Sequence, residues 1–123
     1  AIRQYAERAS GEHLQVTVEL AEPLPALDAA VEVAAYRIAL EAVANSVQHA
    51  DASHCRVKLC AEDSLILEIA DDGRGPPSAI QSGIGLRSMR ERAAAVGGSF
   101  ALEQTPGGGA CVRVELPLVA GAR

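Results

Sequence analysis

Between residues 27 and 50 the chain contains neither glycine nor proline, so nothing in that stretch interrupts a helix. Val33, Tyr36, Leu40, Val43 and Val47 recur there at spacings of three and four, the period of one buried helix face. This is the longest helix the sequence predicts, and everything around it comes in shorter pieces. Before it, residues 14–20 alternate, with Leu14, Val16, Val18 and Leu20 on one side and Gln15, Thr17 and Glu19 on the other, as in a half-buried strand. A proline-bounded loop at 22–25 separates the two. After the helix, residues 55–60 and 65–70 alternate in the same way across the turn-prone Glu62-Asp63-Ser64 and predict an antiparallel hairpin. Residues 83–96 turn helical again, with Leu86, Met89, Ala93 and Val96 as the apolar stripe and Gly97-Gly98 as the stop. A last hairpin pairs 99–104 with 111–116 across a glycine-rich loop. Alternating strands beside helices that are apolar on one stripe predict an α+β fold of two layers, a mixed, mostly antiparallel sheet of about five strands covered on one face by helices.

Composition narrows the function. The 123 residues suffice for one domain with one core, and 49% hydrophobic with 22% charged residues excludes a disordered tail. Aromatic residues are 2% of the chain, Tyr5, Tyr36 and Phe100, and the net charge is −5. Stacking platforms and a basic face are both lacking, so nucleic acid is not an expected partner. No apolar run reaches the roughly 18 residues of a membrane span. The cysteines, Cys55, Cys60 and Cys111, have no CxxC spacing and read as buried thiols in a reducing, cytoplasmic setting rather than as a metal or disulfide framework. The start at Ala1 without a methionine suggests a piece of a longer protein.

Three polar clusters interrupt this plan. Glu41, Asn45 and His49 are spaced i, i+4, i+8 and share one helix face, with Gln48 beside them. A carboxylate and an amide oxygen one turn apart are hard ligands suited to Mg²⁺ or its waters. Asp71-Asp72-Gly73-Arg74-Gly75 stands where a strand ends. Its glycines let a flat ligand approach the backbone, and the Asp71 carboxylate offers an acceptor to an exocyclic amine, which adenine has and guanine lacks at that position. Gly83-Ile84-Gly85-Leu86 precedes a helix, where orphan N–H groups form an anion site. Taken singly, each cluster has a plainer explanation: a solvated helix face, a tight Asp-Gly turn, a helix-initiating loop. A dinucleotide fingerprint fails because Ser78 and Ser88 stand where third glycines belong, and a Walker A loop fails because Lys58, the only lysine, lies within a strand. Any phosphates must be held by backbone, magnesium and arginines. Arg87, Arg90 and Arg92 read equally well as phosphate or partner contacts and as a solvated surface.

The order of these clusters resembles the ATP-binding domain shared by histidine kinases, type II topoisomerases, Hsp90 and MutL, whose N, G1 and G2 boxes they match. Closer still is the resemblance to sensor histidine kinases that work with LuxR/NarL-type response regulators. It is carried by Tyr36-Arg37-Ile38-Ala39-Leu40-Glu41-Ala42, residues 45–50 and 71–75, and Gly85-Leu86-x-x-Met89-Arg90-Glu91-Arg92 followed by Gly97-Gly98. It covers roughly residues 14 to 118 of what reads as a single domain, 1–123. The resemblance implies that Asn45 ligates Mg²⁺, that Glu41 lies near the metal's water shell or orients the attacking group, and that His49 faces the phosphates. It implies that Asp71 holds the adenine amine, that Gly73 and Gly75 let the backbone approach the base, and that Gly83 and Gly85, with Leu86 following, belong to a lid over the phosphates. Residues 76–82 are then expected to order on nucleotide binding. Two departures stand out: Gln48 where relatives often place Lys or Arg, and Ala110 where many carry Thr. Both point to weaker nucleotide affinity.

The function this implies is binding of Mg²⁺-ATP and donation of its γ-phosphoryl group to a histidine on a separate dimerisation domain, with a response regulator downstream. The isolated domain is expected to be monomeric and unable to phosphorylate itself, since His13, His49 and His54 lack the following acidic residue of a phosphoacceptor. The domain is expected in the cytoplasm, whether or not the parent protein is anchored in a membrane. Competing readings are an anti-sigma-factor serine kinase of the same fold and a degenerate, non-enzymatic nucleotide-binding module.

Overall fold

The structure is a computed structural model that describes residues 2–4, 14–21, 24–48, 52–73 and 84–120. In chain order the elements are β1 (Gln15–Leu20), α1 (Ala29–Gln48), β2 (His54–Ala61), β3 (Ser64–Asp71), α2 (Ile84–Ala95), β4 (Ser99–Gln104) and β5 (Ala110–Pro117). The strands form one sheet in the order β1-β2-β3-β5-β4. β1 runs parallel to β2, and the other neighbours are antiparallel. Among the described residues, no helix is long and apolar enough to cross a membrane.

Strand alternation decides which residues enter the core. Val57 and Leu59 of β2, Leu65, Leu67 and Ile69 of β3, and Val112, Val114 and Leu116 of β5 are buried beneath the helices. The opposite face of the sheet is polar, and Glu19, Lys58, Glu68 and Arg113 lie side by side across four strands with alternating sign. Within this row Arg113 Nη1 donates to Glu68 Oε2 at 2.9 Å. A face dressed this way needs no second layer of helices, and the opposed charges favour this register over a slipped one.

The buried stripe of α1 is not the one its large residues suggest. Val33 and Val47 are 56% and 50% exposed, and Leu40 is half-buried. The covered face consists of Val31, Ala34, Ala35, Ile38, Ala39, Ala42 and Val43. Both sets recur at spacings of three and four. The alanine-rich set faces the sheet because small side chains let the helix axis approach closely, with Ile38 and Val43 filling the space that remains. Val33 and Tyr36 instead border an apolar cleft of about 830 Å³, which Leu20, Leu24, Leu59 and Leu65 also line. Cys60 and Cys111 likewise depart from expectation, being half-buried on alternate-face positions while Cys55 is fully buried; all three are free thiols.

Helix ends are set by identifiable bonds. At the start of α1, the Glu32 N–H donates to Asp28 O, while the Asp28 carboxylate accepts the Ala120 N–H at 2.9 Å and so ties the helix to the chain beyond β5. α2 stops as anticipated: Gly97 takes φ 88°, Gly98 N–H reaches back to Ala93 O, and Gly97 N–H to Ala94 O, which is a Schellman cap. Met89, Ala93 and Val96 are its buried stripe.

The connections then gather the functional ends. α1 links two parallel neighbours, so it runs back against them and its C-terminus returns to the edge where β2 begins. β3 ends at that same edge, and β5 starts there, since Ala70 pairs with Cys111. One rim of the sheet therefore receives the end of α1, the end of β3 and the start of β5.

Ile38→Ala should lower unfolding free energy by about 2–4 kcal/mol, whereas Val33→Ala should cost no more than about 0.5 kcal/mol, both read from urea denaturation. The reverse order would mean that the large residues form the buried stripe after all.

Candidate functional site

Asp71 is the last residue of β3 and the junction of this rim. Its Oδ1 accepts the Gly73 N–H at 2.9 Å and the Ala110 N–H at 3.3 Å, and its Oδ2 accepts the Ser46 hydroxyl at 3.0 Å. Donors thus arrive from the turn after β3, from the start of β5 and from α1. A half-buried carboxylate supplied in this way keeps one orientation without an opposing cation. Gly109 passes so close to the Asp71 backbone carbonyl that a Cβ on it would overlap that oxygen. Only glycine lets β5 start where its next residue, Ala110, can donate to Asp71.

Asp72, the next residue, faces outward and does a different job. Its Oδ1 accepts the N–H groups of Ser53 and His54 at 2.8 and 2.9 Å, and its Oδ2 accepts the Ser53 hydroxyl at 3.0 Å. The carboxyl is held below its ordinary value, chiefly by the His54 N–H; slight desolvation opposes this, and the two Ser53 donors reinforce it. Asp72 clamps the end of β3 to the chain entering β2.

Glu41 and Asn45 are half-buried on α1, one turn apart. Asn45 precedes Ser46, whose hydroxyl touches Asp71, so the helical oxygen pair and the strand-end carboxylate share the rim. No group of three or more His, Cys, Asp and Glu side chains able to hold a metal exists among the described residues. The oxygen pair suits a hard cation that takes its other ligands from water and phosphate, which is the habit of Mg²⁺. Gly73 is half-buried beside Asp71, Gly85 lies in the first turn of α2, and Leu86 is half-buried. His49, Gly75 and Gly83, together with the expected lid at 76–82, lie outside the described residues. Arg87 pairs with Glu91 at 3.0 Å, and Arg90 stacks 5.3 Å from the centre of the Phe100 ring, so these two arginines are engaged on the surface of α2.

Ser46 was not singled out by sequence reasoning. It is the one buried polar residue among the described core positions, 4% exposed. It falls three and four residues after Val43 and Ala42, on the face that the sheet selects for burial, so its place became legible only with the fold. Cys55, opposite Asp71 in the register, packs against the same point. Burial pushes its thiol up to about 11, against the pull of the Ser46 hydroxyl and with a further push from Asp71 and Asp72.

A helix layer thus covers one sheet face, and a fixed acceptor and a pair of oxygen-bearing side chains meet at one rim. Residues 30–120 match the family described as histidine kinase-, DNA gyrase B- and HSP90-like ATPases, and the chain belongs to that family. The signal transduction histidine-protein kinase/phosphatase UhpB of Salmonella typhimurium is 40% identical over 94 residues, 75% of this chain and 18% of UhpB. The sensor protein VraS of Staphylococcus epidermidis is 35% identical over 86 residues, 68% of this chain and 25% of VraS. The chain thus spans a quarter or less of these relatives. The ATP binding domain of PrrB from Mycobacterium tuberculosis aligns with a TM-score of 0.68 at 26% identity, over 97% of this chain and 90% of that one. Full-length ShkA in complex with AMPPNP shares the fold, with a TM-score of 0.76 at 24% identity over 99% of this chain and 30% of ShkA.

Asp72→Asn should reduce stability at pH 7 by less than about 1 kcal/mol, because the group is exposed. The folded-state value is depressed, so the contribution is complete above the unfolded value of about 3.9 and is lost as pH falls through the lower folded value. Urea midpoints of the two proteins should therefore converge as pH drops below about 4. Gly109→Ala should cost about 2 kcal/mol or more and disturb the backbone amide signals of Asp71 and Ala110 in an NMR spectrum. Unchanged signals would show that the close approach is not maintained.

Proposed function

We propose that this chain is the catalytic, ATP-binding domain of a sensor histidine kinase of the kind that works with LuxR/NarL-type response regulators. It forms one domain within a longer protein, acting in the cytoplasm. The observation that carries this reading is the Asp71 carboxylate, held at the rim by donors from three segments with the Glu41 and Asn45 pair on the adjoining helix. Kinship with UhpB and VraS supports the kinase assignment, and the likeness to the ATP binding domain of PrrB supports the nucleotide.

In this reading Asp71 accepts a hydrogen bond from the adenine amine, and Gly73 and Gly75 leave room for the base plane. Guanine presents a carbonyl oxygen there, which a carboxylate repels, so ATP is selected over GTP. Asn45 and Glu41 are the residues that would hold Mg²⁺, which, when bound, supplies charge neutralisation at the phosphates. His49 faces the phosphates, and Gly83, Gly85 and Leu86 belong to the segment that closes over them. The chain contributes positioning and charge neutralisation rather than a covalent step; the γ-phosphoryl is left open for in-line attack by an imidazole on a separate dimerisation domain. From that histidine the group passes to a response regulator.

Asp71→Asn is expected to keep the fold. Its Oδ1 still accepts from Gly73 and Ala110, and its amide can donate to Ser46, whose hydroxyl then turns to Ala42 O, 3.3 Å away. The remaining amide hydrogen opposes the adenine amine, so calorimetry should show ATP binding nearly abolished. The wild-type chain with Mg²⁺-ATP should label a separately supplied dimerisation segment of the parent protein, more slowly than the intact kinase, and should not label itself. Asn45→Ala should remove that transfer. ATP binding without transfer would instead favour a non-enzymatic binding module, and label on the chain itself would mean that the acceptor lies within it.

A further inference from the structure

Among the described residues, Asp71 has three of the roughly four acceptor sites of a carboxylate filled. Both sites of Oδ1 are taken by backbone N–H groups, which come with the fold and cannot be removed by changing a side chain. Oδ2 receives one donor, and that donor is the hydroxyl of Ser46. We propose that Ser46 is a positioning residue for base recognition: by occupying one side of Oδ2 it leaves a single acceptor direction for the ligand and fixes the carboxylate plane that points it. The proposal rests on the assignment of Asp71 to the adenine amine.

The surroundings of Ser46 support a directed role. The residue is 4% exposed on the apolar face of α1, where Ala42 and Val43 precede it and alanine would fill the position without a polar group to satisfy. Its hydroxyl has one proton and two acceptors in reach, Asp71 Oδ2 at 3.0 Å and Ala42 O at 3.3 Å. Ala42 O lies within the helix, where the backbone ladder already supplies it, so the carboxylate is the better claimant. The neighbouring Cys55 thiol, on whose ionisation the Ser46 side chain acts, stays protonated at neutral pH, so the hydroxyl meets no thiolate that would compete with the Asp71 carboxylate. An adenine amine turns one N–H toward one acceptor, and a carboxylate with one open direction matches it. Without the hydroxyl, the carboxylate turns more freely and exposes a second direction that the base cannot use.

The test compares two nucleotides by calorimetry in the presence of Mg²⁺: ATP and purine riboside triphosphate, which has hydrogen in place of the amine. Wild type should prefer ATP. Ser46→Ala should weaken ATP binding about fivefold while leaving purine riboside triphosphate unchanged, so the preference shrinks. Ser46→Thr, which keeps the hydroxyl, should restore it. In transfer assays Ser46→Ala should raise KM for ATP and leave kcat unaltered. Equal weakening toward both nucleotides, as a purely structural role would give, or an unchanged preference in Ser46→Ala overturns the proposal. A wild type that binds both nucleotides equally overturns instead the reading of Asp71 as the amine acceptor.

Discussion

A carboxylate at the margin of an apolar core must be given hydrogen bonds, or its desolvation works against the fold. Asp71 meets this requirement with donors from α1, from the start of β5 and from its own following turn, and the arrangement of the rim follows from it. Gly109 has to lack a side chain so that Ala110 can reach Oδ1. Ser46 has to be polar in the middle of an apolar helix face. Asp72, pointing the other way, pins the same strand end to Ser53 and His54, so the turn carrying Gly73 leaves from a fixed point. None of the three donors to Asp71 carries an opposing charge. The Asp71 carboxylate is held by neutral donors rather than by an ion pair, which in the proposed reading leaves its charge open to a ligand.

Topology explains why so few contacts suffice. The order β1-β2-β3-β5-β4 uses helical connections twice, from β1 to β2 and from β3 to β4. Each returns the chain to the opposite edge, and β5 slips between β3 and β4. The segments that carry polar groups therefore converge at one rim, while the far rim collects hydrophobic ends such as Leu20 and Leu65 around an apolar cleft. The outer face of the sheet is committed to alternating charge through Lys58, Glu68 and Arg113. In the proposed reading the ligand chemistry belongs to the rim that carries Asp71, Asn45 and Glu41.

Much of this was legible in the sequence where the physics is local. Alternation in β2, β3 and β5 records a two-residue period that burial on one face enforces, and the stop at Gly97 records a left-handed backbone that only glycine takes readily. The motif carboxylate Asp71 and the pair Glu41 and Asn45 stood out because their residue types are unusual at those places. The buried face of α1 did not, because two stripes share the helical period and only the sheet's shape selects the alanines over Val33 and Val47. Ser46 was hidden for the same reason: its importance comes from a partner 25 positions along the chain. Gly109 looked like part of a loop until the strand it precedes was laid against Asp71. The parallel pairing of β1 with β2 is likewise a property of the assembled sheet, since a strand alternates in the same way whichever direction its neighbour runs.

The proposed function gains a physical rationale from where the positive charge lies. Lys58 and Arg113 sit on the outer sheet face, Arg87 is paired with Glu91, and Arg90 covers Phe100. These four cations are engaged with other protein groups or on the outer sheet face, and the chain carries a net charge of −5. In the proposed reading, a nucleotide bound at the rim would be recognised at its base by the Asp71 acceptor, with a divalent ion at Asn45 and Glu41 neutralising its phosphates. Such a division suits a phosphoryl donor. Side-chain cations gripping the γ-phosphate in the ground state would stabilise the nucleotide and the transition state alike, lowering KM without raising the rate. Under the proposed function, specificity drawn from the base would leave the transferable group loosely held until a second domain supplied its nucleophile, and the geometry around Asp71 would be the part of the site that the fold has most reason to keep rigid.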